Sequence, residues 1–223
     1  SSLNSQLSSV PACQSIIKKA VVKRLMQGHR TTSLPETGAE YKIRFMLRKN
    51  VCEIMLDTTG DGLHKRGYRR NSMEAPIRET LAATIADLGR VRRDSLVEDP
   101  FCGSGTLLIE AAQKAMNIAP GLKRRFAAER YSFVPAAIWA EQRQKALADS
   151  KLDVGFEAFG YDIDPAAVAL ANANAKLAGV EKRCHFEVAD VADFAAKSEA
   201  IVLTNPPYGE RMSTIEGAAK LAR

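Results

Sequence analysis

Between residues 14 and 26 apolar positions recur with a helical period: Ile16, Ile17, Ala20, Val21 and Leu25 share one face, and Lys18, Lys19, Lys23 and Arg24 occupy the other. The spacing predicts a helix ended by Gly28. Residues 41–47 and 51–56 alternate instead, predicting two strands with Lys49-Asn50 as the turn between them. A helix and a hairpin cannot bury a core of their own, so this first part belongs to a larger domain or packs on the rest of the chain. Beyond a loop at residues 57–62 the pattern changes. A helix is predicted up to Leu88 with Pro76 in its first turn, then a buried strand through Leu96 and Val97, then a helix from Thr106 to about Asn117. Further strands are predicted at 156–161, 185–188 and 200–203, with a helix at 166–177 closed by Gly179. Strands alternating with helices predict an α/β fold with a parallel sheet. Residues 118–151, with Lys123-Arg124-Arg125 and the single tryptophan, Trp139, read as an insertion that either shapes a substrate groove or forms a helical cover on the sheet, the latter being the reading taken for Trp139.

The chain has 223 residues, 46% hydrophobic and 26% charged, which predicts a soluble globular protein. Lysine and arginine number 32 against 26 acidic residues, a net charge of +6, leaning towards a nucleic-acid partner. Cys13, Cys52, Cys102 and Cys184 are scattered without a C-x-x-C pair, which predicts reduced thiols in the cytoplasm and neither a metal site nor a disulfide frame. No apolar run approaches membrane length and no signal peptide is visible. An aromatic content of 6% argues against a base-stacking sheet.

Candidate chemistry concentrates in three places. The run Asp99-Pro100-Phe101-Cys102-Gly103-Ser104-Gly105-Thr106 joins the first buried strand to a helix. Glycines let the backbone approach a ligand, and the helix start offers free N–H groups. The third glycine of a dinucleotide fingerprint is missing, and Asp99 before the turn suits a ligand carrying an ammonium group. Next, Asp162-Ile163-Asp164-Pro165 closes a strand. Asp162 is placed to accept both hydroxyls of a ribose, whereas Asp164 before proline reads as a helix N-cap. Last, Thr204-Asn205-Pro206-Pro207-Tyr208 comes after the fourth strand. Two prolines freeze this loop. The Asn205 side-chain oxygen and the Pro206 carbonyl can then face an NH₂ group, and Tyr208 offers a flat face to a base. The basic run from His64 to Arg70 reads either as a solvated linker or as an RNA or cofactor contact.

The glycine run resembles the first motif of S-adenosylmethionine-dependent methyltransferases. His-Lys-Arg-Gly-Tyr-Arg at 64–69, Ala-Pro-Ile-Arg-Glu-Thr-Leu-Ala-Ala at 75–83, the glycine run and Thr-Asn-Pro-Pro-Tyr-Gly-Glu-Arg at 204–211 together resemble the THUMP-containing ribosomal RNA guanine-N2 methyltransferases. Members of that group are often labelled N6-adenine-specific DNA methylases. The resemblance implies that residues 1–59 are the C-terminal portion of a THUMP RNA-binding domain, that 60–71 is a basic connector, and that 72–223 is the methyltransferase domain. It implies S-adenosyl-L-methionine as cofactor, with Pro76 and Arg78 at its methionine end, Asp190 and Val191 at its adenine, and Ile163 beside Asp162. The family sheet has seven strands, one antiparallel. Only 15 residues come after Tyr208, so the expectation is a chain incomplete at both ends.

These readings converge on methyl transfer to an exocyclic purine amine, guanine N2 of large-subunit ribosomal RNA, with Asn205, Pro206, Pro207 and Tyr208 catalytic. Two alternatives stay open: a DNA adenine-N6 methyltransferase, which needs the same Asn-Pro-Pro-Tyr chemistry, and a non-catalytic RNA-binding protein. Neither a metal nor a membrane is expected to take part.

Overall fold

The computed structural model describes residues 2–3, 6–7, 9–69 and 77–207. They divide into two units, residues 1–61 with 126–138, and residues 62–125 with 139–223.

In the first unit, strand β1 (Ser2–Leu3) runs parallel to β2 (Ile43–Arg48), which pairs antiparallel with β3 (Val51–Leu56). Lys49 and Asn50 both take positive φ, 48° and 62°, the backbone of the tight hairpin turn that suits strand twist. Helix α1 (Val10–His29) is capped by the Ser9 hydroxyl, which accepts from the Ala12 N–H at 3.4 Å. It runs straight through Gly28, contrary to the expected stop. Arg30 takes the left-handed position instead, its N–H directed at the Gln27 and Met26 carbonyls. Within α1 only Cys13 is buried.

Residues 126–138, part of the insertion expected as a helical cover, group with this first unit. Tyr131, 2% exposed, stacks on Tyr41 with ring centroids 4.6 Å apart, and its hydroxyl donates to the Asp57 carbonyl. The Ala128 N–H donates to the Thr58 carbonyl at 3.1 Å. Pairing of aromatics ninety positions apart leaves no periodic signal in the chain.

The second unit is a four-stranded parallel sheet in the order β6-β5-β4-β7, with β4 (Leu96–Asp99), β5 (Glu157–Asp162), β6 (Cys184–Val188) and β7 (Ile201–Val202). The chain winds outwards from β4 to β6 and then crosses back to β7 on the other side of β4. That reversal opens a crevice at the strands' C-terminal ends, where ligands of doubly wound folds bind. The α/β parallel architecture read from the sequence is the one observed. Strand ends shift by one residue: β5 starts at Glu157 and ends on Asp162, and β6 starts at Cys184. Helix α2 (Glu79–Leu88) starts at Glu79 with Arg78 at its N-cap; Pro76 lies outside the described residues.

Helix α3 (Thr106–Ala115) packs against β4, β5 and β6, and α5 (Pro165–Ala178) against β5 and β6. Ala167, Ala171, Ala175 and Ala178 bring α5 close to the core of Val97, Leu108, Ile109, Phe156 and Phe186. Asp164 caps α5 by accepting from the Ala166 N–H at 2.9 Å, with Pro165 next in the chain. Helix α4 (Ala136–Ala148) buries no residue, and Trp139 on it is half-buried. Three cations of residues 118–151 hold loops together. Lys123 donates to the Leu177 carbonyl, the Arg124 guanidinium to the Gly62 carbonyl at 3.0 Å, and Arg143 to the carbonyls of residues 121, 122 and 124.

Gly160, which carries no signal in the sequence, is where β5 meets α3. A Cβ there would stand 2.6 Å from the Phe186 ring, 2.8 Å from Leu108 Cδ1 and 2.9 Å from Cys102 Cβ. Gly160→Ala should therefore destabilise by about 1–3 kcal/mol through overpacking. Denaturant unfolding reads this directly, and an unchanged midpoint would show that the core yields at no cost.

Candidate active site

At the C-terminal ends of β4 and β5 lies a cavity of about 470 Å³. Its floor is the turn after β4. The Gly105 N–H donates to the Cys102 carbonyl at 2.8 Å, and Gly103 and Gly105 both have positive φ, 51° and 76°. The two glycines serve different ends. A Cβ on Gly105 would meet the Phe186 ring at 2.8 Å, so its absence lets α3 and the sheet close up. A Cβ on Gly103 would meet nothing within 4 Å, so its bare backbone faces open space on the cavity side.

Asp162, at the end of β5, holds that floor. One carboxylate oxygen accepts from the Gly103 N–H at 2.9 Å and the other from the Asp164 N–H at 3.0 Å. Each oxygen keeps lone-pair capacity for a further donor from the cavity. Asp190 accepts from the Ala192 N–H at 2.9 Å and caps a short 3₁₀ turn, Val191–Asp193, on the opposite wall.

Asp99 is the most unusual group. It is 1% exposed yet lines the cavity. It accepts from the Phe101 N–H at 3.0 Å and from the Thr204 side chain. Burial, with the Asp162 charge adding to it, pushes its carboxyl up to about 7 in spite of those bonds. Burial likewise raises the neighbouring Cys102 thiol, which is held as a thiol and not a nucleophilic thiolate. Through Thr204 the carboxyl also ties β4 to the loop after β7, which brings Asn205 and Pro207 to the cavity wall.

Of the residues singled out from the sequence, Asp99, Pro100, Phe101, Cys102, Gly103, Ser104, Thr106, Asp162, Ile163, Asp190, Val191, Asn205 and Pro207 line this one cavity. Gly105 lies behind it in the core. Pro206 is exposed and off the wall, and Arg78 is exposed at the N-cap of α2. Pro76 and Tyr208 lie outside the described residues. Ile77, Leu107 and Ala189 also line the cavity and escaped the sequence reading, because an apolar residue beside a motif looks like core. Among the described residues no group of three or more His, Cys, Asp or Glu could hold a metal ion.

Of the basic run from His64 to Arg70, Arg66, Tyr68 and Arg69 turn inward, Lys65 is exposed, and Arg70 lies outside the described residues. Tyr68 is 1% exposed and donates to Glu110 at 3.0 Å, and Arg66 pairs with the same carboxylate at 3.2 Å. Arg69 pairs with the buried Glu79 at 3.1 Å. Burial raises the Glu110 carboxyl, and burial with Glu110 and Glu79 nearby drives the Tyr68 phenol well above its usual range. Arg66 and Arg69 are thus matched to buried acids on α3 and α2, a pairing the local sequence cannot reveal.

Comparison with known proteins agrees with this geometry. The profile of the UPF0020 family, described as an RMKL-like methyltransferase domain, matches residues 66–223. The Bacillus subtilis (strain 168) protein named "Putative RNA methyltransferase YpsC" is 42% identical over 214 residues, covering 95% of this chain and 56% of its own length. The "Ribosomal RNA large subunit methyltransferase K/L" of Shewanella baltica (strain OS195) is 40% identical over 212 residues, covering 92% of this chain and 30% of its own. Two crystal structures align over 99% of the chain. A "predicted N6-adenine-specific DNA methylase" from Listeria monocytogenes str. 4b F2365 has 42% identity, a TM-score of 0.93 and 58% of its chain covered. SMU.472, solved "complexed with SAH", has 38% identity, a TM-score of 0.88 and 59% of its chain covered. The chain thus spans about half of these relatives or less. With more than half of its length matched, over residues 66–223, the chain belongs to the UPF0020 family, the RMKL-like methyltransferase domain.

Proposed function

We propose that this chain carries the cofactor pocket and catalytic loop of an enzyme that methylates guanine N2 of large-subunit ribosomal RNA. The observation that carries this reading is the meeting of the Asn205-to-Pro207 loop with Asp99, the glycine turn and Asp162 in one cavity. Charge and shape fit the cofactor: a buried carboxylate for an ammonium, a bare glycine backbone beside it, a strand-end acid for a ribose and an acid at the far wall for an adenine amine. In this assignment Asp99 and residues 100–106 hold the methionine end with Pro76, while Asp162 with Ile163 holds the ribose and Asp190 with Val191 the adenine. The cofactor supplies a methyl group on a sulfonium, already a good electrophile. No activated side-chain nucleophile is then needed, in keeping with a thiol held protonated at Cys102. Asn205 accepts a hydrogen bond from the target amine, orients its lone pair and stabilises the positive charge that develops on nitrogen. Tyr208 stacks on the base.

Asp162→Ala should weaken S-adenosylhomocysteine binding by about 1–3 kcal/mol. Because Asp162 also pins Gly103, melting temperature should fall in the same variant. Calorimetry showing full affinity in a destabilised protein would leave Asp162 with the turn alone.

RNA as the substrate draws on the names of the relatives and on the +6 charge. Residues 1–59 act, in this reading, as the C-terminal portion of a THUMP domain that meets the RNA, and the enzyme works in the cytoplasm. Within the basic connector, Arg66 and Arg69 are paired with buried acids and lend no support to RNA contact. A second reading, adenine N6 in DNA, has in its favour the description of the Listeria structure. Incubation of the full chain with labelled S-adenosylmethionine and either ribosomal RNA or DNA, then nucleoside analysis, separates these. N2-methylguanosine from RNA is expected. N6-methyladenine from DNA alone would install the second reading, and absence of any transfer would point to a binding protein.

A further inference from the structure

We propose that Arg69 is a positioning residue for the cofactor pocket, a role that rests on the function proposed above. Its guanidinium reaches three acceptors on two separate pieces of chain, residues 77–79 and Thr106. One nitrogen donates to the Ile77 carbonyl at 3.1 Å and to the Thr106 hydroxyl at 3.4 Å, and the other to the Glu79 carboxylate at 3.1 Å. Ile77 and Thr106 both line the cavity, one before α2 and the other at the first turn of α3. Thr106 in turn exchanges a hydrogen bond with Ser104 of the glycine turn at 3.1 Å. Arg69 therefore joins the wall at Ile77 to the floor of the pocket.

A planar guanidinium fixes the directions of its hydrogen bonds, which a point charge on a flexible stem cannot do. The side chain is 13% exposed and that of Glu79 3%, so bulk water does not substitute for these bonds. A buried ion pair is a poor source of stability beside an apolar pair of equal volume, and its retention is better explained by the geometry it imposes. The second pair nearby, Arg66 with Glu110, is as deeply buried but touches no wall residue through the bonds it makes. It provides the internal control.

Arg69→Met alone leaves Glu79 buried and unpaired and is expected to melt early. The informative variant is Arg69→Met with Glu79→Gln, which removes both charges. Its melting temperature should return towards that of the wild type, while affinity for S-adenosylhomocysteine stays down about tenfold, because the wall and floor are no longer tied together. Arg69→Lys keeps a partner for Glu79 and should show the same loss in a folded protein. Arg66→Met with Glu110→Gln should alter melting without altering affinity. Calorimetry and thermal melting of the full chain read all four. Wild-type affinity in either Arg69 variant would overturn the positioning role, as would an equal loss in the Arg66 pair. If the wild type does not bind S-adenosylhomocysteine, it is the proposed function that fails.

Discussion

Asn205→Ala should leave the fold and the affinity for S-adenosylhomocysteine intact and lower methyl transfer about 10²-fold or more. An exocyclic purine amine is a weak nucleophile because its lone pair is delocalised into the ring. An acceptor on one of its N–H groups aligns what remains of that lone pair and carries part of the charge as the bond to carbon forms. Under the proposed function that acceptor is Asn205. It is half-buried on the cavity wall, and the loop is anchored on both sides. On one side the Leu203 N–H donates to the Glu98 carbonyl at 2.9 Å, and Thr204 bonds to Asp99. On the other, two prolines fix their own φ. A side chain held this way serves the transition state more than the ground state, so kcat should fall and not the binding of the product. Asn205→Asp is a useful companion, since it keeps an acceptor while adding charge. Single-turnover transfer within a few-fold of wild type by a folded Asn205→Ala protein would remove Asn205 from the chemistry.

The second large effect is a pH dependence of cofactor binding set by Asp99. Burial holds the Asp99 carboxyl at about 7 when no ligand is present. Below that pH the folded protein keeps a proton that the unfolded chain, with its carboxyl near the ordinary 3.8, has already released. Stability of the ligand-free domain therefore declines as pH rises from about 4 to 7 and levels off above. A ligand ammonium needs the ionised carboxylate. Affinity for S-adenosylhomocysteine should rise about tenfold between pH 6 and pH 8 and flatten above, and Asp99→Asn should abolish the slope along with much of the affinity. Calorimetry in buffers of differing ionisation enthalpy would register proton release on binding at pH 6 and little at pH 8. A flat affinity over that range in the wild type would place the ammonium elsewhere.

Local chemistry explains which parts of this protein could be read without a structure. A glycine pair between an apolar strand and a helix, an acid at each strand end and two prolines after an asparagine act through their own backbone, so their meaning is fixed within a few residues. The cap at Asp164, the left-handed Gly179 and the Lys49-Asn50 turn are of this kind. The parallel sheet was legible in the alternation of strands and helices.

What escaped the sequence depends on partners far along the chain. Arg66 and Arg69 carry no mark that Glu110 and Glu79 await them, since desolvation of both partners occurs only once α2 and α3 pack. Tyr131 gives no sign that Tyr41 will receive it. Gly160 became essential to packing only when Phe186, Leu108 and Cys102 converged on it. The same holds for Asp99: the sequence supplied an acid, and burial in the fold set the pH at which it is charged. Sequence by itself determined the kind of site and the residues that could form it. Tertiary structure decided which of them share a cavity, which cations are spent inside the protein, and how strongly the buried acid resists ionisation, because each of these is a property of desolvation and long-range contact.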